Sequence, residues 1–188
     1  MTKIEKPDVM IDIETLGVSA NCIVLTVGAA KFNPDTLSEP IANFYMRLSI
    51  DEQEKMNRCS EADTIDWWLK QDDAVRTEAF DPDNRIDIAT ALTELSAFVK
   101  GTSSVWAQGP QFDLVILENL YQQYDMTVPW RYSRVRDSRT LFAVWEDLRD
   151  NNPEGKHNAL TDCHNQIIGV QHCMVALNFA KAMIEAGP

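Results

Sequence analysis

The fold is decided by the stretch Val9-Met10-Ile11-Asp12-Ile13-Glu14-Thr15-Leu16-Gly17, in which two carboxylates interrupt an apolar run. The apolar residues predict a buried β-strand. Alternate side chains of a strand share one face, so Asp12 and Glu14 lie side by side, where two desolvated like charges repel each other. A bound cation relieves that repulsion, and hard oxygen ligands suit Mg²⁺ or Mn²⁺. The stretch therefore indicates metal-assisted chemistry at the end of a central strand, unless Gly17 closes a turn, the strand frays and water solvates both acids.

The segments around this strand predict one α/β domain over residues 1–188, with a mixed central sheet flanked by helices. Strand-like segments cover 9–13, 23–32 and 41–49, and two short strands follow at 105–107 and 135–137. The helices are predicted at 63–71, 74–80, 86–98, 110–124, 138–148 and 158–183. An Asp or Thr caps the first of these helices, Pro110 opens the fourth, and residues 151–156 form a loop.

Composition restricts the class of protein. Apolar residues make up 45% and charged residues 24% of the chain, which are the values of an ordinary globular domain. No stretch approaches the ~20 apolar residues of a membrane span, and residues 1–7 lack an apolar signal core, so we expect a cytoplasmic protein with no membrane partner. The cysteines show no C-x-x-C pairing, which favours reduced thiols over disulfides at Cys22, Cys59, Cys163 and Cys173.

The net charge of −12 argues against a protein that clamps long duplex DNA, because such proteins carry a basic face. It does not argue against a nuclease, since bound metal ions neutralise the acids around them and an enzyme that grips a few terminal nucleotides needs few lysines. We therefore expect affinity for a nucleic acid to depend strongly on a divalent ion. Arg134, Arg136 and Arg139 would either reach phosphates or form a solvated face.

Two further acids follow the first pair in an order that matches a known superfamily. Asp113 and Asp162 each stand near the start of a predicted helix, and each alone is typical of a surface acid that complements a helix dipole. Together, the Asp-x-Glu-Thr strand, Phe-Asp and His-x-Ala-x-x-Asp resemble the DEDD superfamily of 3′–5′ exonucleases. His157, five residues before Asp162, matches the histidine subgroup; the tyrosine subgroup has its base four residues before that acid, where this chain has Asn158.

The resemblance covers most of the chain. The segments that are similar to exonuclease A of T-even phages and to mycobacterial-type 3′–5′ exoribonucleases are 64–71, 109–113 and 136–140. One position departs from the wider superfamily, in which many members carry Asn four residues before the acid of the second motif. This chain has Gly109 there, so that Gln108 or Gln111 would have to supply the polar contact.

The resemblance implies a ribonuclease H-like fold and an exonuclease that releases nucleoside 5′-monophosphates from 3′ ends. Two Mg²⁺ ions, for which Mn²⁺ can substitute, would be held by the carboxylates of Asp12, Glu14, Asp113 and Asp162. Four negative charges then balance four positive ones, and ions ~3.5 to 4 Å apart clamp the phosphate. His157 would take the proton of the attacking water, a role that a pKa of about 6.5 suits.

The resemblance also implies that the partner is the 3′ end of a nucleic acid, bound by Thr15, Leu16, Trp67, Trp68 and Phe112. Adjacent helix positions point ~100° apart, so one tryptophan packs in the core while the other is able to stack on a base, unless both are core residues. Single-stranded DNA is the expected substrate, because the Trp-Trp and Phe-Asp segments are most similar to the phage enzyme. RNA is the alternative, since no residue can be assigned to a 2′-hydroxyl from the sequence. A catalytically silent nucleic-acid-binding subunit is an alternative of another class, and related proteins make a homodimer plausible.

A zinc site is a competing hypothesis, since Cys163-His164 and His172-Cys173 look like paired ligands. If the last helix is continuous, ten residues span ~15 Å, too far for one tetrahedral ion with ligand bonds of roughly 2.0 to 2.3 Å. We therefore expect both histidines to be ordinary helix residues.

Overall fold

The computed structural model describes residues 6–145, 148–150 and 155–186. Its strands are β1 (Asp8–Thr15), β2 (Val24–Phe32), β3 (Ala42–Leu48), β4 (Arg85–Ile86), β5 (Val105–Ala107) and β6 (Val135–Asp137). Its helices are α1 (Ile50–Lys55), α2 (Ala62–Trp68), α3 (Asp73–Phe80), α4 (Ile88–Val99), α5 (Asp113–Gln123), α6 (Ser138–Val144) and α7 (Ala159–Ala186), with a 3₁₀ turn at Tyr132–Arg134. The strands form one sheet in the order β4-β3-β2-β1-β5-β6. Because β1 is antiparallel to β2 and parallel to β5, the sheet is mixed, as the sequence predicts.

β1 lies inside the sheet because both of its faces are apolar and covered. Val9, Ile11 and Ile13 pack into a core with side chains of α4 and α5, while Met10 packs with α7 on the opposite face. Successive side chains of a strand alternate between faces, so the two acids of the β1 motif share the face of Met10 and point toward α7.

The structure contains two elements that the sequence pattern missed. α1 begins after Ser49, whose side chain accepts a hydrogen bond from the backbone N–H of Glu52, but its six residues are mostly polar and show no apolar periodicity. β4 includes Ile86, which was predicted to begin a helix, because Ile86 pairs with Leu48 and extends the sheet; α4 begins after Asp87 instead.

Other predicted helix boundaries are also wrong, and α2 ends at Trp68 rather than at residue 71. α5 begins at Asp113 because the residues from Pro110 to Phe112 form a turn rather than helix. α2 begins directly after Glu61, and no Asp or Thr side chain caps it; the Glu61 carboxylate accepts a hydrogen bond from the Ser19 backbone N–H instead. α6 ends at Val144, short of its predicted end. Two stretches of these predictions lie outside the described residues, namely 146–147 and 151–154.

α7 is long enough and apolar enough to cross a membrane by length and composition alone. The sequence shows no unbroken apolar run there, because polar residues are spread along the helix. Its first half packs on the sheet and buries Ile167 and Val170, whereas Phe179 and Ile184 in its second half are exposed. The cysteines are free thiols, as the sequence predicts, at Cys22, Cys59, Cys163 and Cys173.

Candidate active site

The carboxyl end of β1 and the start of α5 bring three acids together. β5 runs parallel to β1, so the chain that leaves β5 reaches the same edge of the sheet before α5 begins. Asp113, the first residue of α5, is 4% exposed, and its Oδ1 accepts a hydrogen bond from the Ile13 backbone N–H at 3.3 Å. That bond ties Asp113 to the segment of β1 that carries Asp12 and Glu14.

The turn before α7 supplies the histidine and the fourth acid. The Asn158 side chain caps the helix, since its Oδ1 accepts hydrogen bonds from the backbone N–H groups of Leu160 and Thr161, each at 3.1 Å. The backbone N–H of His157 donates to Asp162 Oδ2 at 3.0 Å. His157 has a φ of 66°, a left-handed conformation that costs energy for a non-glycine residue. The turn therefore holds the histidine and the acid in a fixed relation.

The close approach of α7 to the sheet depends on Gly28 in β2, the register partner of Asp12. A Cβ atom on Gly28 would lie 2.3 Å from the carbonyl carbon of Ala159 and 2.4 Å from the nitrogen of Leu160. Any side chain at this position would push the first turn of α7 away from the acids. Sequence analysis missed Gly28, although a glycine inside a predicted strand is a recognised sign of close backbone approach.

These elements surround a cavity of about 410 Å³, whose wall includes all five residues predicted to be catalytic: Asp12, Glu14, Asp113, His157 and Asp162. Ligand atoms of Glu14, His157 and Asp162 lie within 4.8 Å of one another. The remaining lining residues are Ile13, Gln108, Phe112, Arg139, Arg149, Asp150, Lys156, Asn165 and Gln166.

Burial raises the pKa of all four acids of this cavity, and the charges of neighbouring acids raise the pKa of the two on β1 further. Burial raises the pKa of Asp12 well above its usual range, and repulsion from Asp113, Glu14 and Asp162 adds to the effect. Burial and the charges of Asp162 and Asp113 likewise hold the pKa of Glu14 well above normal. Burial raises the pKa of Asp113 to about 7, and burial also raises that of Asp162. Without a counter-charge, the quartet therefore resists full ionisation.

The donor set fits divalent cations, because the buried carboxylates have few hydrogen-bond donors. Asp12 Oδ1 accepts one hydrogen bond, from Gln166 Nε2 at 2.8 Å, and no described residue donates to the carboxylate of Glu14. The Oε1 atom of Gln166 is itself buried without a described partner. Oxygen atoms left free in this way are the ligands that Mg²⁺ and Mn²⁺ prefer. Sequence analysis missed Gln166, which lies four residues after Asp162 on the same face of α7.

The geometry of His157 suits a proton acceptor. Burial lowers its pKa, and the charge of Lys156 lowers it further, so the imidazole is neutral near pH 7. The ring meets the edge of Trp67, with ring centroids 4.8 Å apart and planes at 86°.

The residues assigned to substrate binding divide into two groups. Trp67 is 39% exposed, whereas Trp68 is 2% exposed and donates its Nε1–H to the Thr15 carbonyl at 2.9 Å. Trp67, Phe112 and Thr15 line a second cavity, of about 520 Å³, that adjoins the acids.

Trp68 also lines this cavity, although most of its ring packs in a core cluster with Leu16, which is 7% exposed. The assignment of Trp68 and Leu16 to substrate contact stays a prediction, and the exposed ring of Trp67 is the more accessible of the two indoles. The Thr15 hydroxyl donates to the Gly17 carbonyl at 2.7 Å, so its hydrogen is already used within the chain.

Only some of the predicted polar contacts reach the site. Arg139 lines the first cavity, but Arg134 and Arg136 do not. Gly109 stands where many members of the superfamily have Asn, and one of two glutamines was predicted to replace that polar contact. The Gln108 side chain lines the cavity and accepts a hydrogen bond from Arg149, whereas Gln111 does not line it.

The zinc hypothesis is wrong for the described residues. α7 is one continuous helix, so the two Cys/His pairs lie on different turns. The Cys163 thiol is buried against the carbonyls of Met10 and Gly28. A ring nitrogen of His164 is hydrogen-bonded to the side chain of Asn43 at 2.9 Å. A ring nitrogen of His172 is hydrogen-bonded to the Ile168 carbonyl at 2.8 Å.

Comparison with known proteins agrees with this arrangement. A model of the "3′-5′ exoribonuclease Rv2179c-like domain" family matches residues 7–174. The exodeoxyribonuclease of Enterobacteria phage T4 is 22% identical over 214 residues, which cover 95% of this chain and 92% of the phage protein. Two solved structures share the fold. Exonuclease I has a TM-score of 0.64 at 13% identity, with 94% of this chain and 44% of exonuclease I covered. The nuclease domain of 3′hExo, a DEDDh family member, has a TM-score of 0.56 at 17% identity, with 96% and 95% covered.

The fold and the family match define the class of protein as a nuclease of the ribonuclease H-like fold, within the exonucleases that act on nucleic acids from the 3′ end. More narrowly, the chain belongs to the family of 3′–5′ exoribonuclease Rv2179c-like domains. The resemblance noted in the sequence is thereby confirmed.

Proposed function

We propose that this chain is a divalent-metal-dependent 3′–5′ exonuclease that removes nucleoside 5′-monophosphates from single-stranded 3′ ends. The observation that carries the proposal is the convergence on one cavity of four carboxylates, buried at Glu14 and Asp113 and half-buried at Asp12 and Asp162, together with a neutral histidine. A structural cluster of that kind would be costly to keep, since buried like charges without a counter-ion destabilise a fold.

Asp12, Glu14, Asp113 and Asp162 would hold two Mg²⁺ ions, with Mn²⁺ able to substitute. The chemistry supplied by that pair when bound is activation of the attacking water and stabilisation of the departing 3′ oxygen. The four negative charges of the quartet match the charge of two divalent ions. Gln166 would keep Asp12 oriented, since its Nε2–H₂ group holds one carboxylate oxygen.

His157 would act as the general base. A ring nitrogen takes one proton of the attacking water while the water oxygen bonds to phosphorus and the bond from phosphorus to the 3′ oxygen breaks. The departing 3′ oxygen takes a proton from solvent water and becomes the 3′-hydroxyl, and His157 later releases its own proton to solvent, so the ring is neutral again and no net proton is left unaccounted for. The hydrogen bond from the His157 backbone to Asp162 and the edge contact with Trp67 hold the ring in place for this step.

The first cavity would bind the phosphates of the substrate and the second its bases. Arg139, Arg149 and Lys156 place positive charge around the phosphates in the first cavity. Trp67 and Phe112 offer aromatic surface in the second, where stacking contributes ~1 to 3 kcal/mol per base without demanding a sequence.

Single-stranded DNA is the proposed polymer, because the phage relative named an exodeoxyribonuclease aligns over nearly its whole length. RNA is the second candidate, favoured by the description of the family as exoribonucleases. A silent binding subunit is disfavoured because all five catalytic side chains are present and converge. Cytoplasmic localisation, a homodimer and the absence of a membrane partner stay predictions from the sequence.

The test is digestion of 5′-labelled single-stranded DNA and RNA of the same sequence with Mg²⁺ or with EDTA. We expect a ladder that shortens from the unlabelled end only with the metal, and the ratio of initial rates ranks the two sugars. If neither polymer shortens, the proposed function fails.

His157→Ala tests the assignment of the base, with His172→Ala in α7, outside the cavity, as the matched control. General base catalysis contributes about 10²- to 10⁴-fold, so His157→Ala should lose turnover on that scale while Mg²⁺ still raises its melting temperature. His172→Ala should retain wild-type turnover. Unchanged turnover in His157→Ala would reject the assignment.

A further inference from the structure

A third cavity, distant from the acids, has a wall of cations. It has a volume of about 560 Å³ and is lined by Lys6, Lys100, Arg131 and Arg134; we call it the cationic cavity. The chain has 17 Lys and Arg residues against 29 Asp and Glu, yet four of the former and none of the latter line this cavity. In a chain with a net charge of −12, that concentration of positive charge points to an anionic ligand.

The topology places the cationic cavity at the opposite end of the sheet from the active site. β1, β5 and β6 are parallel neighbours, and the residues that line the cavity precede each of them: Lys6 before β1, Ser103 before β5 and Arg134 before β6. The acids instead follow the carboxyl ends of β1 and β5. At ~3.3 Å per residue, the step along β1 from Lys6 to Glu14 is about 26 Å.

The four cations are available for a ligand. All four are exposed, and none pairs with a carboxylate within the part of the chain that the structure describes. Among the contacts of the described residues, the side chain of Arg134 is the only one of these four that donates a hydrogen bond, from Nη1 to the Ser103 carbonyl at 3.4 Å. Two acids on neighbouring elements are already occupied: Asp8 accepts from Trp106 and Ser104, and Glu118 accepts from Trp130.

The wall offers charge but no means to recognise a base. The hydroxyl hydrogens of Thr102 and Ser103 are donated to the carbonyls of Val99 and Lys6. Trp130 also lines the cavity, but it is 8% exposed and its ring packs against Tyr121, so no ring face is open for stacking. Positive charge without base contacts binds the phosphates of a nucleic acid regardless of sequence.

We propose that the cationic cavity binds backbone phosphates of the substrate strand upstream of the 3′ end held in the active site, an inference that rests on the proposed function. At ~3.4 Å per nucleotide of a stacked strand, about 26 Å takes about eight nucleotides, and a path over the surface is longer. A strand of about six nucleotides therefore occupies the active site alone, whereas one of about 24 reaches both places.

The experiment compares Lys100→Ala/Arg131→Ala with Lys55→Ala/Lys181→Ala, which removes the same charge from exposed positions outside all of the cavities described above. Initial rates with Mg²⁺ give kcat and KM for single strands of about six and about 24 nucleotides over a range of NaCl concentrations. Each lost phosphate contact lowers the slope of log KM against log salt by about 0.7. The cavity variant should therefore show a slope smaller by about 1.4 and a KM for the long strand raised about 25-fold near 0.1 M salt, with kcat unchanged.

The short strand and the control separate the inference from its alternatives. KM for the short strand should be unchanged in both variants, and the control variant should match the wild type on both strands. The inference is overturned if the cavity variant has the same KM for the long strand as the control variant, or if its KM rises as much for the short strand as for the long one. In either case, digestion by the wild type would leave the proposed function intact. An abasic long strand should show the same difference between variants, because phosphates and not bases fill the cavity; loss of that difference would also overturn it.

Discussion

The two ends of β1 carry buried acids in opposite circumstances. At the amino end, Asp8 is 6% exposed, and both of its oxygens have donors: Ser104 N–H at 3.0 Å and Trp106 Nε1 at 2.7 Å. At the carboxyl end, Asp12 has one side-chain donor and Glu14 has none among the described residues, while both face further carboxylates. A carboxylate that serves the fold has its oxygens satisfied by the chain. One that serves a ligand keeps them free, at a cost in stability.

The largest effect expected from this contrast is on hydrolysis. Asp12→Asn removes a proposed metal ligand, and the loss of several kcal/mol of metal assistance corresponds to about 10³-fold or more in kcat. In EDTA near pH 8 the same variant should be at least as stable as the wild type, because it removes a buried charge that other acids repel.

Asp8→Asn is the matched control on the same strand. Its amide can accept only one of the two hydrogen bonds, and the NH₂ group then faces a donor, so it should lose about 1 to 3 kcal/mol of stability. At a temperature where it remains folded, its kcat should match the wild type. The contrast between a structural Asp8 and a metal-binding Asp12 would be contradicted if Asp8→Asn were inactive while folded, or if Asp12→Asn retained activity.

The sequence predicted the acids better than their surroundings. Asp12 and Glu14 were recognisable because a strand has a strict two-residue period, and Asp113, His157 and Asp162 because motif order survives when overall identity is low. Boundaries such as the start of α5 were missed, because a hydrogen bond from the Phe112 backbone N–H to the Gly109 carbonyl closes a turn there, and sequence patterns place helix ends only to within a few residues.

The contacts that position the acids were also not predicted, although a glycine inside a predicted strand marks a close approach at Gly28. Gly28 lies next to Asp12 only once β2 has paired with β1, and Gln166 reaches Asp12 only once α7 lies on the sheet. No spacing within the sequence reports either pairing. The choice between Trp67 and Trp68 likewise depended on which ring the sheet covers.

The Gly28→Ala variant removes the close approach of α7 to the sheet, on which the acids at the carboxyl end of β1 depend. A methyl group in Gly28→Ala would sit 2.3 Å from the Ala159 backbone, so α7 and with it His157 and Asp162 must shift away from Asp12. A displacement of about 1 Å in a catalytic constellation costs on the order of 10²-fold in rate.

Gly101→Ala is the control for a glycine outside the active site. No atom lies within 4 Å of its Cβ position, but its φ of 86° should cost stability, about 1 to 2 kcal/mol, without loss of kcat. Wild-type kcat in Gly28→Ala would mean that α7 does not need this contact to place its residues.

The smallest expected effect is the pH dependence of stability that the unsatisfied acids create. Burial raises the pKa of Asp113 to about 7 in the folded chain, against about 3.9 for an unfolded Asp. The folded state thus binds more protons than the unfolded state between those values, so stability in EDTA is full below about pH 4 for this group and is lost as the pH rises through about 7. Removal of this group in Asp113→Asn should therefore flatten the fall in unfolding free energy between about pH 5 and 8, by on the order of 1 to 2 kcal/mol.

Chemical denaturation across that pH range measures the effect, and Asp125→Asn, an exposed acid just beyond the other end of α5, is the control that should keep the wild-type slope. Mg²⁺ should reverse the slope in the wild type, because the ion binds only the ionised carboxylates and a ligand at 100 times its Kd adds about 2.7 kcal/mol to the folded state. Parallel slopes in EDTA for the wild type and Asp113→Asn would show that the hydrogen bond from Ile13 satisfies Asp113, and the difference between the two ends of β1 would then not extend to α5.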